Sequence, residues 1–165
     1  MTDETGMTDE LRIADRLTLR EIVEAYARCA DRRTFAALAE LFTSDGVLAG
    51  YNGQPGEGEP TFVRTGRGQI ERAMSGLLKY EVTSHLLGLQ SVAFDADDLD
   101  AASAETYCLA HHVYTDEVRL DRVMSIRYLD RYRRLAGVWL IAERRLAIDW
   151  VETRVVDGLV GGDRS

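Results

Sequence analysis

The chain has 165 residues, of which 45% are apolar, and this size fits one globular domain with a core large enough to hold a ligand cavity. Its 28 acidic and 20 basic residues give a formal net charge of −8, which argues against binding nucleic acid through a basic face. The two cysteines are too few for a disulfide framework, and no apolar run reaches the roughly 18 residues of a membrane span. We therefore expect a cytoplasmic protein that contacts neither nucleic acid nor membrane.

The first part of the chain is predicted to be helical after a short lead-in. Residues 1–10 are acidic and polar, the reverse of a signal peptide, and we expect them to be disordered. Residues 13–30 place apolar side chains at three- and four-residue steps, the pattern of an amphipathic helix with one buried face. A second short helix is expected after Thr34, whose hydroxyl can cap it, and Ser44-Asp45-Gly46 ends it.

The middle of the chain is less regular. Residues 47–51 are typical of a short strand. Residues 52–68 contain both prolines and five glycines, so we expect a flexible flap without a regular element. A third helix is predicted over residues 69–79, because apolar side chains recur there at helical spacing.

Four extended segments follow, at residues 82–94, 101–115, 118–133 and 138–151. Polar turns separate them, which predicts long antiparallel strands. An antiparallel sheet with helices on one face is an α+β arrangement, and a strongly curved sheet of this kind closes around a pocket. The predicted domain covers residues 11–153, and residues 154–165 are expected to be a tail.

Asp31, near the end of the first helix, and His85, in the first long strand, are the most informative pair. An imidazole oriented by a carboxylate can take a proton from carbon or oxygen near neutral pH without a metal or cofactor. A buried carboxylate at a helix C-terminus needs a compensating partner such as a protonated histidine. The alternative is an exposed Asp31 that pairs with Arg32 or Arg33.

A set of short motifs spreads over roughly residues 12–152. The motifs are Asp15-Arg16-Leu17, Tyr26-Ala27-Arg28, Asp31-Arg32-Arg33, Leu41-Phe42-Thr43-Ser44-Asp45-Gly46-Val47, His85-Leu86-Leu87-Gly88, the run from Glu105 to His112, and Gly137-Val138-Trp139. Together they resemble the SnoaL-like family of the nuclear-transport-factor-2-like superfamily. The resemblance implies a cone-shaped α+β barrel, with N-terminal helices packed on a curved mixed, mainly antiparallel sheet around a pocket.

The resemblance is strongest to scytalone dehydratase, bile acid 7α-dehydratase and hexachlorocyclohexane dehydrochlorinase, which implies a cofactor-independent lyase of the dehydratase type. His85 would take a proton, Asp31 would hold its imidazole, and Tyr26 would polarise a carbonyl or assist the leaving oxygen. The substrate would be a small hydrophobic cyclic or polycyclic molecule, with no metal. The alternatives are an isomerase or polyketide cyclase with the same pair, and a non-catalytic small-ligand-binding or assembly subunit. Tyr26 also fits a plain core position.

Further residues are candidates for substrate binding. If Tyr107 and His111 point inward, His111 resembles a second histidine of scytalone dehydratase, and His112 then faces solvent or a partner. One of Arg144 and Arg145 can turn inward to hold an oxygen-rich substrate, although two surface arginines are the simpler interpretation.

Aromatic side chains complete the predicted site. Tyr51, Tyr128 and Trp150 are plausible cavity walls, although aromatic residues in strands are usually core or interface residues. The outer face of the sheet needs covering, so we expect a homo-oligomer, either a dimer or a trimer.

Overall fold

Among the residues that the structure describes, three α-helices and six strands make up the fold. The computed structural model describes the backbone of residues 4–157 and the side chains of residues 12–157. The helices are α1 (Glu4–Asp31), α2 (Phe35–Glu40) and α3 (Arg67–Met74), and a 3-10 helix (Ser75–Lys79) follows α3. The strands are β1 (Phe42–Asn52), β2 (Phe62–Thr65), β3 (Val82–Phe94), β4 (Ala101–Thr115), β5 (Arg119–Leu135) and β6 (Val138–Val155).

The six strands form one mixed sheet in the order β2-β1-β6-β5-β4-β3. Only the β1–β6 pair is parallel, and the other neighbours are antiparallel. The hairpin between β5 and β6 turns at Ala136 and Gly137, whose positive φ angles of 50° and 82° suit a two-residue turn. The predicted α+β class and mainly antiparallel sheet are confirmed. Within the described residues the sheet is not closed, and β2 and β3 are its edges.

Helix α1 covers the inner face of the sheet. Its side chains Leu19, Val23 and Ala30 are fully buried in the core. From its exposed side, Arg16 and Arg20 donate to backbone carbonyls of edge strand β3, at 3.0 and 2.9 Å. These contacts cover part of an edge that would otherwise be open to pairing. They also hold the middle of α1 beside the second half of β3.

Two chain-end predictions need correction. Helix α1 begins at Glu4, so residues 4–10 of the expected disordered lead-in are helical, and residues 1–3 lie outside the described residues. At the other end, β6 continues to Val155 because its last residues pair with β5 from Met124 back to Leu120. The remainder of the predicted tail, residues 158–165, also lies outside the described residues.

The segment between α2 and α3 is more ordered than predicted. Strand β1 begins at Phe42 and is irregular up to Val47, where its register against β6 shifts. The expected flap contains β2, which pairs with β1 through Gly50 and Phe62. Thr34 occupies the position before α2, but its hydroxyl makes no capping bond. No helix among the described residues is long and apolar enough to cross a membrane.

Candidate active site

The end of α1 and the beginning of β3 bring Asp31 and His85 together. Nδ1 of His85 lies 2.7 Å from Oδ1 of Asp31, and the backbone N–H of His85 donates to Oδ2 at 3.0 Å. Because a carboxylate only accepts hydrogen bonds, Nδ1 carries a proton and Nε2 of the neutral ring keeps a free lone pair. The side chain of His85 is 6% exposed and that of Asp31 is 27% exposed, so the pair is largely shielded from water.

Thr83 and Arg33 extend the hydrogen-bond network behind Asp31. The Thr83 hydroxyl donates to Oδ1 of Asp31 at 2.9 Å and accepts from Nη1 of Arg33 at 2.7 Å. Arg33 also donates to the carbonyl oxygens of Ala30 and Tyr80, at 2.9 and 3.3 Å. The Arg33 guanidinium thus ties the end of α1 to the start of β3 and leaves the Thr83 hydroxyl proton for Asp31.

The backbone at the end of α1 forms a Schellman motif. The N–H of Thr34 donates to the carbonyl of Cys29 at 3.0 Å, and the N–H of Arg33 to that of Ala30 at 3.3 Å. Arg33 occupies the left-handed position, with φ of 62°, where glycine is usual. Asp31 therefore sits in the last helical turn, followed by a sharply defined change of chain direction.

Burial and hydrogen bonding act in opposite directions on the Asp31 carboxyl. Partial burial raises its pKa, but the hydrogen bonds from His85 and Thr83 outweigh burial, and the pKa lies below its ordinary value. Asp31 is therefore a carboxylate at neutral pH. It can stabilise the imidazolium that forms when His85 takes a proton.

His112 points to the inner face of the sheet, next to His85. It pairs with Thr83 across β3 and β4, and the two imidazole centroids are 5.6 Å apart. The prediction that His111 faces the cavity is wrong, because side chains alternate along a strand and the inward positions of β4 are the even-numbered ones. These inward residues are Thr106, Cys108, Ala110 and His112.

The environment of His112 keeps its ring neutral. Burial and the positive charge of a protonated His85 lower the pKa of His112 to about 4. Its Nδ1–H donates to the carbonyl of Arg122 at 3.3 Å. The Nε2 atom of His112 is therefore an acceptor close to the proposed base.

His111 forms a second histidine–carboxylate pair on the outer face of the sheet. Its Nδ1 lies 2.8 Å from Oδ2 of Asp121, and Arg154 donates to the same oxygen at 3.2 Å. Burial opposes the effect, but these two partners hold the pKa of Asp121 below its ordinary value. This pair has the composition of the Asp31–His85 pair and lies on the opposite side of the sheet.

Three further predicted substrate-binding residues also lie on the outer face. Tyr107 precedes the inward Cys108 and is 48% exposed, and Trp150 is 49% exposed. Tyr51 pairs with Ala147, which follows an inward position of β6. The predictions for Tyr51, Tyr107 and Trp150 are wrong for the same reason as that for His111: a shift of one residue moves every side chain to the other face.

Tyr26 on the buried face of α1 and Tyr128 on β5 both lie in the interior. Their rings pack edge to face with centroids 5.7 Å apart. The Tyr26 hydroxyl contacts Sδ of Met74 at 3.5 Å, and the Tyr128 hydroxyl contacts Sγ of Cys108 at 3.3 Å. Burial raises the pKa of Tyr26 to about 12, with the Arg144 charge opposing. Tyr26 therefore remains protonated and can donate a hydrogen bond.

Arg144 is the inward member of the two arginines on β6. Its guanidinium is fully buried, lies 4.1 Å from the ring centroid of Tyr26, and donates twice to Asp130 at 2.7 Å. Burial alone would lower the pKa of Arg144, but the Asp130 carboxylate raises it above the ordinary value. Arg145 points outward and pairs with Glu143 at 2.9 Å.

A surface groove of about 440 Å³ runs between α1 and edge strand β3 and reaches the Asp31–His85 pair. Its walls include Glu24 and Arg28 from α1, Arg32 from the turn after α1, and Leu87 from β3. The groove gives one face of the pair access to solvent.

A family model described as a SnoaL-like domain matches residues 11–145, which is most of the chain. The chain belongs to the SnoaL-like family. Among curated proteins, no sequence matches it.

Solved structures share the fold of this SnoaL-like protein. A Novosphingobium aromaticivorans protein, described provisionally as a scytalone dehydratase, is 21% identical with a TM-score of 0.75, over 95% of this chain and 99% of that one. A type 2 hexachlorocyclohexane dehydrochlorinase is 16% identical with a TM-score of 0.78, over 93% and 99% of the two chains. An NTF2-like protein with a cystatin-like fold, also from Novosphingobium aromaticivorans, is 24% identical with a TM-score of 0.66, over 98% and 95%. At these identities the similarity shows the fold alone.

Three residues of the SnoaL-like site carried only weak signals in the sequence. Thr83 lies two residues before His85, and the two-residue period of a strand puts both on one face. His112 required the strand register, which the pairing of His85 with Ala110 supplies. Arg33 was expected only as a possible ion-pair partner of Asp31, and its contact with Thr83 depends on a left-handed conformation that is uncommon for residues other than glycine, asparagine and aspartate.

Within the part of the chain that the structure describes, no group of three or more histidine, cysteine, aspartate or glutamate side chains is arranged to hold an ion.

Proposed function

We propose that the protein is a cofactor-independent lyase of the dehydratase type. The observation that carries this proposal is the 2.7 Å contact between Nδ1 of His85 and Oδ1 of Asp31. The same oxygen accepts a hydrogen bond from the Thr83 hydroxyl. This arrangement favours one tautomer, with Nε2 free to take a proton, and favours the imidazolium that results. Membership of the SnoaL-like family is consistent with it.

The proposed reaction needs one base that also returns the proton. Nε2 of His85 takes a proton from a substrate carbon, the C–H electrons form the new double bond, and the neighbouring C–O bond breaks. The His85 imidazolium then gives the proton to the departing oxygen, so water leaves and the enzyme regains its starting protonation state. Asp31 stabilises the imidazolium between these steps, and Tyr26 donates a hydrogen bond to the substrate's reacting oxygen.

The proposed substrate is a small hydrophobic cyclic or polycyclic molecule with oxygen substituents. Support for this class comes from the apolar and aromatic side chains on the inner face of the sheet, such as Tyr128 and Ile126, which lie among the buried polar side chains of Thr106 and His112. His112 adds a neutral acceptor beside His85. Arg144 adds a buried guanidinium, whose positive charge is neutralised by its ion pair with the Asp130 carboxylate.

The same pair suits two other functions. An isomerase or polyketide cyclase would also begin by taking a proton from carbon, but its product would have the mass of its substrate. A non-catalytic ligand-binding or assembly subunit would hold the ligand and leave it unchanged. The mass of the product therefore separates the three.

A mass-resolved screen tests the proposal. The wild type and His85→Ala are incubated with hydroxylated aromatic, polyketide-like and steroid-like compounds. We expect loss of one water from a substrate with the wild type and no conversion with the variant. An isomeric product would assign isomerase or cyclase chemistry instead, and binding without conversion by both proteins would assign the carrier role.

We also propose that a second copy of the chain covers the outer face of the sheet. Leu86 pairs with Leu109 there, and Leu109 lies opposite Ser125, which pairs with Trp150. These three apolar side chains are 36% to 55% exposed, and Tyr107 adds to the patch. A contiguous apolar patch on a sheet face is typical of an interface between subunits.

A further inference from the structure

Two arginines line the groove that reaches the Asp31–His85 pair. Arg28 lies in the last turn of α1 and Arg32 in the turn that follows, and both side chains are exposed. Among the side chains that the structure describes, no carboxylate lies within ion-pair distance of either guanidinium. Because they are four residues apart on one side of the helix end, the two side chains can act on the same group.

The two carboxylates in the groove wall are already engaged. Glu24 lies one turn before Arg28, at the spacing of a helical ion pair, but its Oε1 accepts from Nε of Arg20 at 2.8 Å. Arg20 also donates to a carbonyl of β3, which holds its guanidinium at that end of the groove. Both oxygens of Asp31 accept hydrogen bonds from β3. The groove therefore offers the guanidinium groups of Arg28 and Arg32 to a ligand.

The groove is positive although the chain as a whole is negative. Three arginines line it against two carboxylates, whereas the full chain has a net charge of −8. A guanidinium presents a planar fork of donors that matches the two oxygens of a carboxylate. A group with one negative charge balances the groove, and a phosphate dianion would leave it negative. The charge of the groove therefore favours a carboxylate.

We propose that Arg28 and Arg32 bind a carboxylate group of the ligand, so that the substrate is a hydroxy acid. Arg28 precedes Asp31 by three residues, which is about 4.5 Å along the helix axis. The bound carboxylate therefore lies close to the carbon that loses its proton. This step rests on the proposed function, because it takes His85 as the base.

The two arginines determine which substrate binds and take no part in proton transfer. Ala27 and Leu87 line the same groove and give the carbon skeleton of the acid an apolar contact. Replacement of Arg28 or Arg32 should therefore raise KM for an acidic substrate and leave kcat little changed, since the lost contact exists in both ground and transition states.

Matched acids and amides test the site without turnover. The probes are 3-phenylpropanoate and cyclohexanecarboxylate, each with its amide, titrated against the wild type, Arg28→Gln, Arg32→Gln and the variant that carries both changes. Nuclear magnetic resonance follows the imidazole ring proton of His85, which is identified by its loss in His85→Ala, so the signal reports binding beside the pair. Arg72→Gln is the matched control, because Arg72 is an exposed arginine in the last turn of α3, away from the groove. Glutamine is a good helix former, and a thermal melt checks that each variant folds.

We expect at least one acid to bind the wild type and Arg72→Gln about fivefold more tightly than its amide. The preference should fall in each single variant, disappear in the double variant, and weaken in high salt because the groove is open to solvent. An acid that binds no more tightly than its amide, a preference unchanged in the double variant, or an equal fall in Arg72→Gln would contradict the site.

The titrations and the elimination screen fail independently. A preference for acids without any loss of water would keep the carboxylate site and reject the lyase. Loss of water from uncharged substrates without a preference for acids would keep the lyase and reject the carboxylate site.

Discussion

Asp31 accepts three hydrogen bonds from β3, one from the Thr83 hydroxyl and two from His85. Together they fix both carboxylate oxygens, so the His85 ring is oriented by a group that cannot itself rotate away. Positioning of this kind matters because a base acts only within hydrogen-bond reach of the proton it takes.

Thr83→Val removes one of these bonds and tests whether Thr83 positions the pair. We expect kcat to fall about 10- to 150-fold with KM little changed, since a hydrogen bond to a charged group contributes about 1.5–3 kcal/mol. Thr83→Ser keeps the hydroxyl and should restore kcat. Equal losses in the two variants would indicate a packing role instead.

His112 predicts a pH dependence of stability. Its pKa is about 4 in the folded protein and 6.5 in the unfolded chain, so the unfolded chain binds the proton first as the pH falls. The folded state therefore loses stability between pH 6.5 and 4, by up to about 3 kcal/mol from this group, and loses nothing further from it below that range. Urea unfolding across this range should show a smaller loss for His112→Gln than for the wild type. Parallel curves would contradict the assignment.

The junction between α1 and α2 is the element that builds the site. Its Schellman motif places Asp31 in the last turn of α1, and the left-handed residue Arg33 sends its side chain to Thr83. An ordinary left-handed residue costs about 1 kcal/mol relative to glycine, so this position combines local strain with a contact to the site.

Arg33→Gly separates these two contributions. We expect the free energy of unfolding to change by less than about 1 kcal/mol, because relief of strain offsets the lost hydrogen bonds. Activity should nevertheless fall, because Thr83 loses the donor that orients its hydroxyl. Circular dichroism with denaturant titration and kcat/KM on the same sample measure both. Full activity in a stable variant would show that Arg33 only ends the helix.

Strands β3 and β4 could be predicted to the residue because polar turns bound them and apolar side chains fill them. Strand β2 could not, because its four residues lie among glycines and prolines and are ordered by pairing with β1. Asp31 and His85 could be predicted from their motifs. The face of each β4 side chain could not, because it depends on a register that only the neighbouring strand supplies.

At the scale of the whole molecule, the two faces of the sheet differ in what covers them. Helix α1 covers the inner face, while Leu86, Leu109 and Trp150 on the outer face stay partly exposed in the single chain. A net charge of −8 keeps copies apart through long-range repulsion, so a stable interface needs such an apolar centre.

Light scattering after size exclusion measures the predicted association. We expect the wild type to have two or three times the mass of one chain, and Leu109→Lys to shift it towards one chain by placing a charge in the apolar patch. Leu78→Lys, at a position 65% exposed on the 3-10 helix, is the matched control and should leave the mass unchanged. A wild type with the mass of a single chain would contradict the interface.

The inner histidine–carboxylate pair is proposed to perform the chemistry, and the outer pair is its control. His85 and His111 each lie within 2.8 Å of an aspartate oxygen, but on opposite faces of the sheet. The most direct measurement is kcat/KM of His85→Ala and His111→Ala on a substrate that the wild type dehydrates. We predict a loss of about 10²- to 10⁴-fold for His85→Ala and less than about threefold for His111→Ala. Retained activity in a folded His85→Ala, or an equal loss in both variants, would contradict the claim.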